Sequence, residues 1–349
     1  MNQRPLIHGQ SLSALSGWCG ARGEPAFRAG QIWQWLYQRR AACASAMTNL
    51  PASLRAALDA EFEFQAVTLA GAEEAGARKL LLRLRDASCV ETVLIPARDH
   101  LTVCVSSQVG CAFACAFCAS GQAGFDRNLE AGEMVGQVLA AASAAGASPG
   151  NVVFMGMGEP LDNYDAVLAA IRILNDKDGL RIGARRITVS TCGLAPAIRR
   201  LADEGMQIEL SVSLHAADDA LRSRLMPVNR RFPLADLMDA CAGYIRKTDR
   251  IITFEYTLIQ GVNDGTAQAR ELARLIGPLK CRVNLIPLSA VEEFEGQSST
   301  EPRTRDFARL LDRERINVTV RQSKGAGVRA ACGQLRKRHL SSGRPAAGA

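Results

Sequence analysis

The chain has 349 residues, 48% hydrophobic and 22% charged, which is the composition of a folded globular protein and not of a disordered one. Its formal net charge of +7 resides in the last 29 residues, because the chain from Arg321 onward carries seven Lys or Arg and no acidic residue. This basic end indicates a surface that faces a polyanion. The chain has no run of about 20 apolar residues and no secretory signal, so the sequence predicts a cytoplasmic protein with no membrane partner.

The first part of the chain has helical periodicity and then changes to strand-like alternation. Residues 1–60 are predicted to form a helical accessory domain, in which the helix 26–39 places Phe27, Ile32, Trp35 and Leu36 near one face. Residues 61–98 are predicted to form a β-rich connecting segment.

From residue 99 to residue 322 the pattern repeats strand then helix, which predicts βαβ units. The predicted strands cover residues 101–106, 151–157, 186–191, 208–214, 251–259 and 281–287. Such a pattern forms either an α/β barrel or an open doubly wound sheet, and six repeats are too few for an eight-fold barrel. A strand-like run, 316–321, leads into a basic segment, 323–340, and a tail, 341–349, that we expect to be disordered.

Eleven cysteines in a chain without an export signal favour metal or redox chemistry over disulfides. Cys111, Cys115 and Cys118 supply three thiolates in one loop after the first barrel strand, which suits zinc or an iron–sulfur cluster. Structural zinc usually needs four ligands, whereas three ligands on a four-iron cluster leave one iron open. The C-x3-C-x2-C spacing resembles that of radical S-adenosylmethionine enzymes, in which the open iron binds adenosylmethionine.

Several longer sequence motifs resemble those of the RlmN/Cfr family of RNA methyltransferases, and resemble its RlmN branch more closely. They are Cys104-Val-Ser-Ser-Gln-Val-Gly-Cys111, Gly124-Phe-Asp-Arg-Asn-Leu129, Gly156–Pro160, Ser213-Leu-His-Ala216 and Ala330-Ala-Cys-Gly-Gln-Leu335. The resemblance covers residues 20–338 and departs from the pattern at 325–329, where family members usually carry an acidic residue. It implies a partial, six-fold β/α radical SAM barrel with a small helical N-terminal domain.

The resemblance also implies the ligands. One 4Fe-4S cluster would be held by the three cysteines of the loop. Two adenosylmethionine molecules would be used per turnover, one as methyl donor and one as radical source. The residues matched to adenosylmethionine binding are Gly158, Glu159, Ser190, Ser213, Leu214, His215 and Asn284. Taken singly, each of these is more often a structural turn or core residue than a ligand.

The reaction implied by the resemblance explains two further cysteines. Adenine C2 has no nucleophilic lone pair, so the methyl would first pass to the thiolate of Cys332 and then, as a carbon radical, to the base. Cys104 would release the product, leaving a disulfide with Cys332, and Glu91 would accept a proton. Basic neighbours of Cys332 favour its thiolate.

The substrates implied are a specific adenosine of large-subunit ribosomal RNA and an adenosine next to the anticodon of tRNA. A flavodoxin or ferredoxin would supply electrons, and we expect a monomer. Two alternatives remain open: a Cfr-like enzyme that methylates adenine C8, and a non-catalytic iron–sulfur or zinc protein that binds RNA.

Overall fold

The computed structural model of the protein describes residues 3–74, 77–96, 100–289 and 294–321. The basic segment 323–340 and the tail 341–349 lie outside these residues. No helix in the described ranges is long and apolar enough to span a membrane.

The N-terminal part is helical. Its helices are α1 (Leu12–Gly20), α2 (Phe27–Tyr37) and α3 (Ala52–Glu61). The Ser11 side chain accepts a hydrogen bond from the Ala14 N–H, which satisfies one of the unpaired donors where α1 begins. One of the contacts between these helices and the rest of the molecule is made by Trp33, whose Nε1 donates to Asp176 Oδ1 at 2.9 Å.

The predicted face of α2 is partly wrong. Ile32 and Leu36 are buried as expected, but Phe27 is 57% exposed and Trp33 takes its place in the core at 1%. Residues 29, 33, 36 and 37 recur at helical spacing and form the buried face together with Ile32. Because Phe27 is the first residue of the helix, its ring lies beyond this face and contacts the Arg28 guanidinium instead.

The strands, in chain order, are β1 (Val67–Glu74), β2 (Arg78–Leu84), β3 (Cys89–Pro96), β4 (Leu101–Cys104), β5 (Gln108–Gly110), β6 (Phe125–Asn128), β7 (Asn151–Phe154), β8 (Ile187–Thr191), β9 (Glu209–Ser213), β10 (Ile252–Leu258), β11 (Cys281–Pro287) and β12 (Asn317–Val320). The remaining helices are α4 (Ala119–Gln122), α5 (Ala131–Ala145), α6 (Tyr164–Asn175), α7 (Ala195–Ala202), α8 (Asp219–Leu225), α9 (Leu234–Thr248), α10 (Thr266–Ile276) and α11 (Glu301–Arg313).

Ten strands form one sheet in the order β1-β2-β3-β4-β7-β8-β9-β10-β11-β12. The pairs from β1 to β4 are antiparallel, and those from β4 to β12 are parallel. A doubly wound sheet reverses its strand order at a switch point, whereas this parallel part follows chain order throughout. The structure therefore confirms the α/β prediction in its barrel form. The strand-like run predicted at 316–321 forms β12, which adds a seventh strand to the six.

Two of the barrel strands end two or more residues earlier than the sequence predicts. β4 stops at Cys104 and not at residue 106, because the Ser106 N–H donates to the Gln137 side chain. β7 stops at Phe154 and not at residue 157. The residues beyond β4 lead into a hairpin that the sequence did not predict, in which β5 pairs with β6 and encloses the cysteine loop.

Candidate functional site

The loop that carries the three cysteines is fixed at both ends by its backbone. Gly110 has φ +82°, and a Cβ there would lie 1.9 Å from Gly124 O, so glycine is required. The Cys111 N–H donates to the same Gly124 oxygen at 2.8 Å. Farther along, the Ala116 N–H donates to Leu225 O at 2.9 Å, which docks the loop on α8.

The three thiols lie within electrostatic reach of one another. Burial raises the pKa of Cys111 to about 12. Burial also raises the pKa of Cys115, with the charges of Cys118 and Cys111 adding to the effect. Three thiolates in this loop would repel each other unless a positive group joined them.

The donor set consists of three thiolates, the ligand type of iron–sulfur clusters. Among the described residues, no three His, Cys, Asp or Glu side chains form a group that could hold one metal ion. Cysteines that each bind a different iron of a cluster need not converge on one point. Thiolates are also the usual ligands of such clusters.

The turn after β7 packs closely against the segment that precedes the cysteine loop. Gly158 has φ +97°, and a Cβ there would lie 2.5 Å from Gln108 Cβ. The Glu159 N–H donates to Gln108 Oε1 at 2.8 Å. Glu159 is only 3% exposed, and its carboxylate accepts hydrogen bonds from the N–H of Leu161 at 3.0 Å and of Cys192 at 2.7 Å. Burial raises its pKa, and these donors act against that rise.

His215 follows β9 and touches the cysteine loop. Its ring packs edge-on against Phe117 with centroids 4.7 Å apart. Its Nδ1 accepts a hydrogen bond from the Thr257 N–H at 2.9 Å. Burial lowers the pKa of His215 to about 3, so the ring is neutral at pH 7. The adjacent Leu214 is fully buried and donates its N–H to Glu255 O.

The register of the sheet brings the predicted polar residues onto one face, because directly paired residues, and residues two apart on a strand, share a face. Cys104 pairs with Val93 on β3, two residues from Glu91. In the other direction the same face continues along the pairs Cys104–Val153, Val153–Thr188, Ser190–Ser211, Ser213–Glu255 and Glu255–Asn284. Glu91, Cys104, Ser190, Ser213 and Asn284 therefore share this face, which we call the site face. Cys332 lies outside the described residues.

The structure adds polar residues that the sequence analysis did not single out. Glu255 is 8% exposed and bridges two strands, since its carboxylate accepts hydrogen bonds from Asn284 Nδ2 at 2.7 Å and from Ser211 Oγ at 3.3 Å. Asn284 Oδ1 in turn accepts a hydrogen bond from Thr319 Oγ1 at 3.1 Å. Gln108 lies within the Ser-Ser-Gln-Val-Gly motif. The only indication of Glu255 in the sequence was a charged residue inside an apolar strand.

Two family models match the chain. The model described as "Radical SAM superfamily" matches residues 105–273, and the model described as "Ribosomal RNA large subunit methyltransferase N-terminal domain" matches residues 7–64. These ranges correspond to most of the barrel and to the N-terminal helices.

Named relatives match over nearly the whole chain. A probable dual-specificity RNA methyltransferase RlmN 3 of Opitutus terrae is 46% identical over 95% of this chain and 94% of its own length. A probable dual-specificity RNA methyltransferase RlmN of Geobacillus kaustophilus is 46% identical over 95% of this chain and 92% of its own. The crystal structure of a radical SAM methyltransferase from Sphaerobacter thermophilus has a TM-score of 0.90, with 46% identity, and covers 95% of this chain and 98% of that one. The chain therefore belongs to the RlmN family of radical SAM RNA methyltransferases.

Proposed function

We propose that the chain methylates C2 of a specific adenosine in large-subunit ribosomal RNA, and of an adenosine next to the anticodon in tRNA. Each turnover uses two adenosylmethionine molecules and passes through an S-methylcysteine at Cys332. The observation that carries the proposal is the site face, which places Glu91 and Cys104 on the same side of the sheet as Ser190, Ser213 and Asn284. A protein that only bound RNA would need neither a buried carboxylate nor a buried thiol at these positions.

The cysteine loop and the strand ends hold the cofactors in this proposal. Cys111, Cys115 and Cys118 would hold one 4Fe-4S cluster, which when bound would supply the electron for reductive cleavage of adenosylmethionine. Glu159, whose carboxylate is held in place by the N–H groups of Leu161 and Cys192, accepts hydrogen bonds from the ammonium group of adenosylmethionine. His215 is neutral at pH 7 and so does not repel the sulfonium charge.

The site face supplies the proton acceptor and the resolving thiol. Glu91 is 1% exposed and accepts the proton that adenine C2 loses. Cys104 is 6% exposed and forms the disulfide with Cys332 that frees the methylated base. The basic segment 323–340 delivers Cys332 and contacts RNA phosphates, and such contacts position the RNA without reading its sequence. The target base is read as an unstacked base turned into the site.

A flavodoxin or ferredoxin type protein supplies the electrons, and the enzyme works as a monomer with the N-terminal helices, residues 1–60, as an accessory RNA-binding domain.

The test compares three cysteine variants after incubation with labelled RNA, adenosylmethionine and reductant. Cys104→Ala leaves the methyl acceptor in place, so RNA should stay covalently attached and give a nuclease-sensitive band on a denaturing gel. Cys332→Ala removes the acceptor and should give neither this band nor methylated RNA. Cys43→Ala, an exposed thiol of the N-terminal part, is the control and should behave as wild type. Methylated RNA at the wild-type rate from both of the first two variants would refute the proposal.

The position of the methyl group is tested separately. Mass spectrometry of the digested RNA should locate it on adenine C2. A methyl on C8 would identify the Cfr-like alternative, which uses the same cysteines.

A further inference from the structure

A fully buried arginine lies beside the cysteine loop and has no assigned role. The guanidinium of Arg222 on α8 is 0% exposed. Its Nε donates to Leu214 O at 3.1 Å and its Nη1 to Asn229 Oδ1 at 2.8 Å. Its Nη2 donates to Cys192 O at 2.8 Å and Ser213 O at 3.1 Å. All four acceptors are neutral oxygens, so hydrogen bonding satisfies the group without a direct ionic partner.

The nearby carboxylates are committed elsewhere. Asp218 caps α8 by accepting a hydrogen bond from the Leu221 N–H at 2.7 Å. Asp219 is linked to Arg222 only through Asn229, whose Nδ2 donates to Asp219 Oδ1 at 2.8 Å. A buried charge without a direct ionic partner is strongly unfavourable unless a negative group lies within reach of its field. A further negative group near Arg222, besides the indirectly bridged Asp219, would therefore stabilise it.

The cysteine loop is the element placed to carry that negative charge. It docks on the helix of Arg222 through the hydrogen bond from Ala116 N–H to Leu225 O at 2.9 Å. A second contact joins the two: Arg222 Nε donates to Leu214 O, and the next residue, His215, packs its ring against Phe117 of the loop with centroids 4.7 Å apart. The guanidinium is thus held next to the loop, where its field acts on the thiolates. Because Arg222 is fully buried, it acts through this field and not by touching a ligand.

We propose that Arg222 is a positioning residue that provides the counter-charge of the iron–sulfur cluster and raises its reduction potential. The inference rests on the proposed function, in which Cys111, Cys115 and Cys118 bind the cluster. Three thiolates give the cluster net negative charge, and one added electron makes it more negative. A fixed positive charge in a poorly polarisable interior stabilises the reduced state more than the oxidised one. Arginine suits this task because it does not lose its proton.

The test measures the midpoint potential of the reconstituted full-length enzyme by dye-mediated titration with titanium(III) citrate, followed by electron paramagnetic resonance. Arg222→Met and Arg222→Gln remove the charge, and the second keeps an amide donor for the carbonyl oxygens. Both should shift the reduction equilibrium toward the oxidised cluster at least tenfold, which is about 59 mV for one electron. Arg222→Lys keeps the charge and should show less than half of that shift.

The matched control is Arg224→Met, which removes a charge from the exposed side of the same helix, two residues away. Water screens an exposed charge, so this variant should keep the wild-type potential. A wild-type potential in Arg222→Met or Arg222→Gln at full iron content would overturn the inference. An equally lowered potential in Arg222→Lys would also overturn it, because the effect would then come from packing.

Iron content separates the remaining outcomes. Neutral variants that fold but hold no iron, while Arg222→Lys holds it, support the counter-charge. Loss of iron from all three variants would assign Arg222 a purely structural role. If the neutral variants do not fold, Arg222→Lys decides by its potential alone: a wild-type value supports the inference, and a tenfold shift overturns it. A wild-type chain without iron and sulfide would refute the proposed function instead.

Discussion

Replacing Glu159 by Gln tests whether the turn after β7 binds a ligand or only supports the fold. The carboxylate accepts one backbone N–H on each oxygen, from Leu161 and from Cys192. Glutamine has the same shape, but its NH2 group must face one of these two donors. The substitution therefore removes one hydrogen bond to a charged acceptor and sets two donors against each other.

The expected loss of stability follows from these contacts. A hydrogen bond to a charged group contributes about 1.5–3 kcal/mol. Burial of Glu159 already disfavours its charged form, since it raises the pKa, and the neutral amide avoids that cost. We expect the free energy of unfolding to fall by about 1–2 kcal/mol, measured by urea denaturation of the cluster-free chain. The affinity for adenosylmethionine should fall more than tenfold in equilibrium dialysis with reconstituted enzyme, because the ammonium group loses a charged acceptor.

Glu204→Gln provides the control for stability. Its carboxylate also accepts two hydrogen bonds, from Tyr164 at 2.9 Å and Arg172 at 3.0 Å, but it lies in the turn after α7, away from the cysteine loop. It should be destabilised without any change in adenosylmethionine affinity. Unchanged affinity in Glu159→Gln, with reduced stability, would show that Glu159 only joins two backbone segments, and the reasoning would be wrong.

Three further predictions concern the turn, acid stability and RNA binding. Gly158→Ala should lower the free energy of unfolding more than Gly146→Ala does, as measured by urea denaturation. Both glycines have positive φ, which costs an alanine about 1–2 kcal/mol, but only at Gly158 would the added Cβ clash with a neighbouring side chain. Burial lowers the pKa of His8 from 6.5 to about 4, so the unfolded chain binds the proton more readily than the folded one. The free energy of unfolding should therefore fall by about 3 kcal/mol as the pH drops from 6.5 to 4. His8→Gln should flatten this pH dependence. Replacing residues 336–338 by Ala should reduce the slope of log RNA affinity against log salt by up to roughly 2, at about 0.7–0.9 per phosphate contact, and an unchanged slope would exclude such contacts.

The elements that the sequence predicted well are those set by local pattern. The strand–helix alternation located six barrel strands, because apolar runs separated by amphipathic helices are a local signal. The cysteine spacing and the longer sequence motifs indicated the family, and the similarity to named RlmN relatives confirms it. The face of α2 was predicted less well, because the packing of the N-terminal helices and not the local period decides that Trp33 is buried and Phe27 exposed.

Features that depend on pairing between distant residues were not predicted. The β5–β6 hairpin joins residues 108–110 to 125–128 across the cysteine loop, and its short strands carry almost no alternation of their own. Arg222 has the sequence context of an exposed helix residue, with Asp219 three residues before it and Arg224 two residues after it. Its burial follows from the position of α8 against the ends of β8 and β9, which no local pattern encodes.

The contacts of Glu255 support the proposal that the site face binds a ligand. A buried carboxylate is costly, and here it is satisfied by Asn284 and Ser211 from the two neighbouring strands while burial still raises its pKa. Apolar side chains could fill a barrel interior more cheaply, so a purely structural role does not explain a polar network there. The network does fix the amide of Asn284, because Glu255 holds its nitrogen and Thr319 holds its oxygen. One N–H and one lone pair of that amide stay available in a set direction, which is what recognition of a polar cofactor requires.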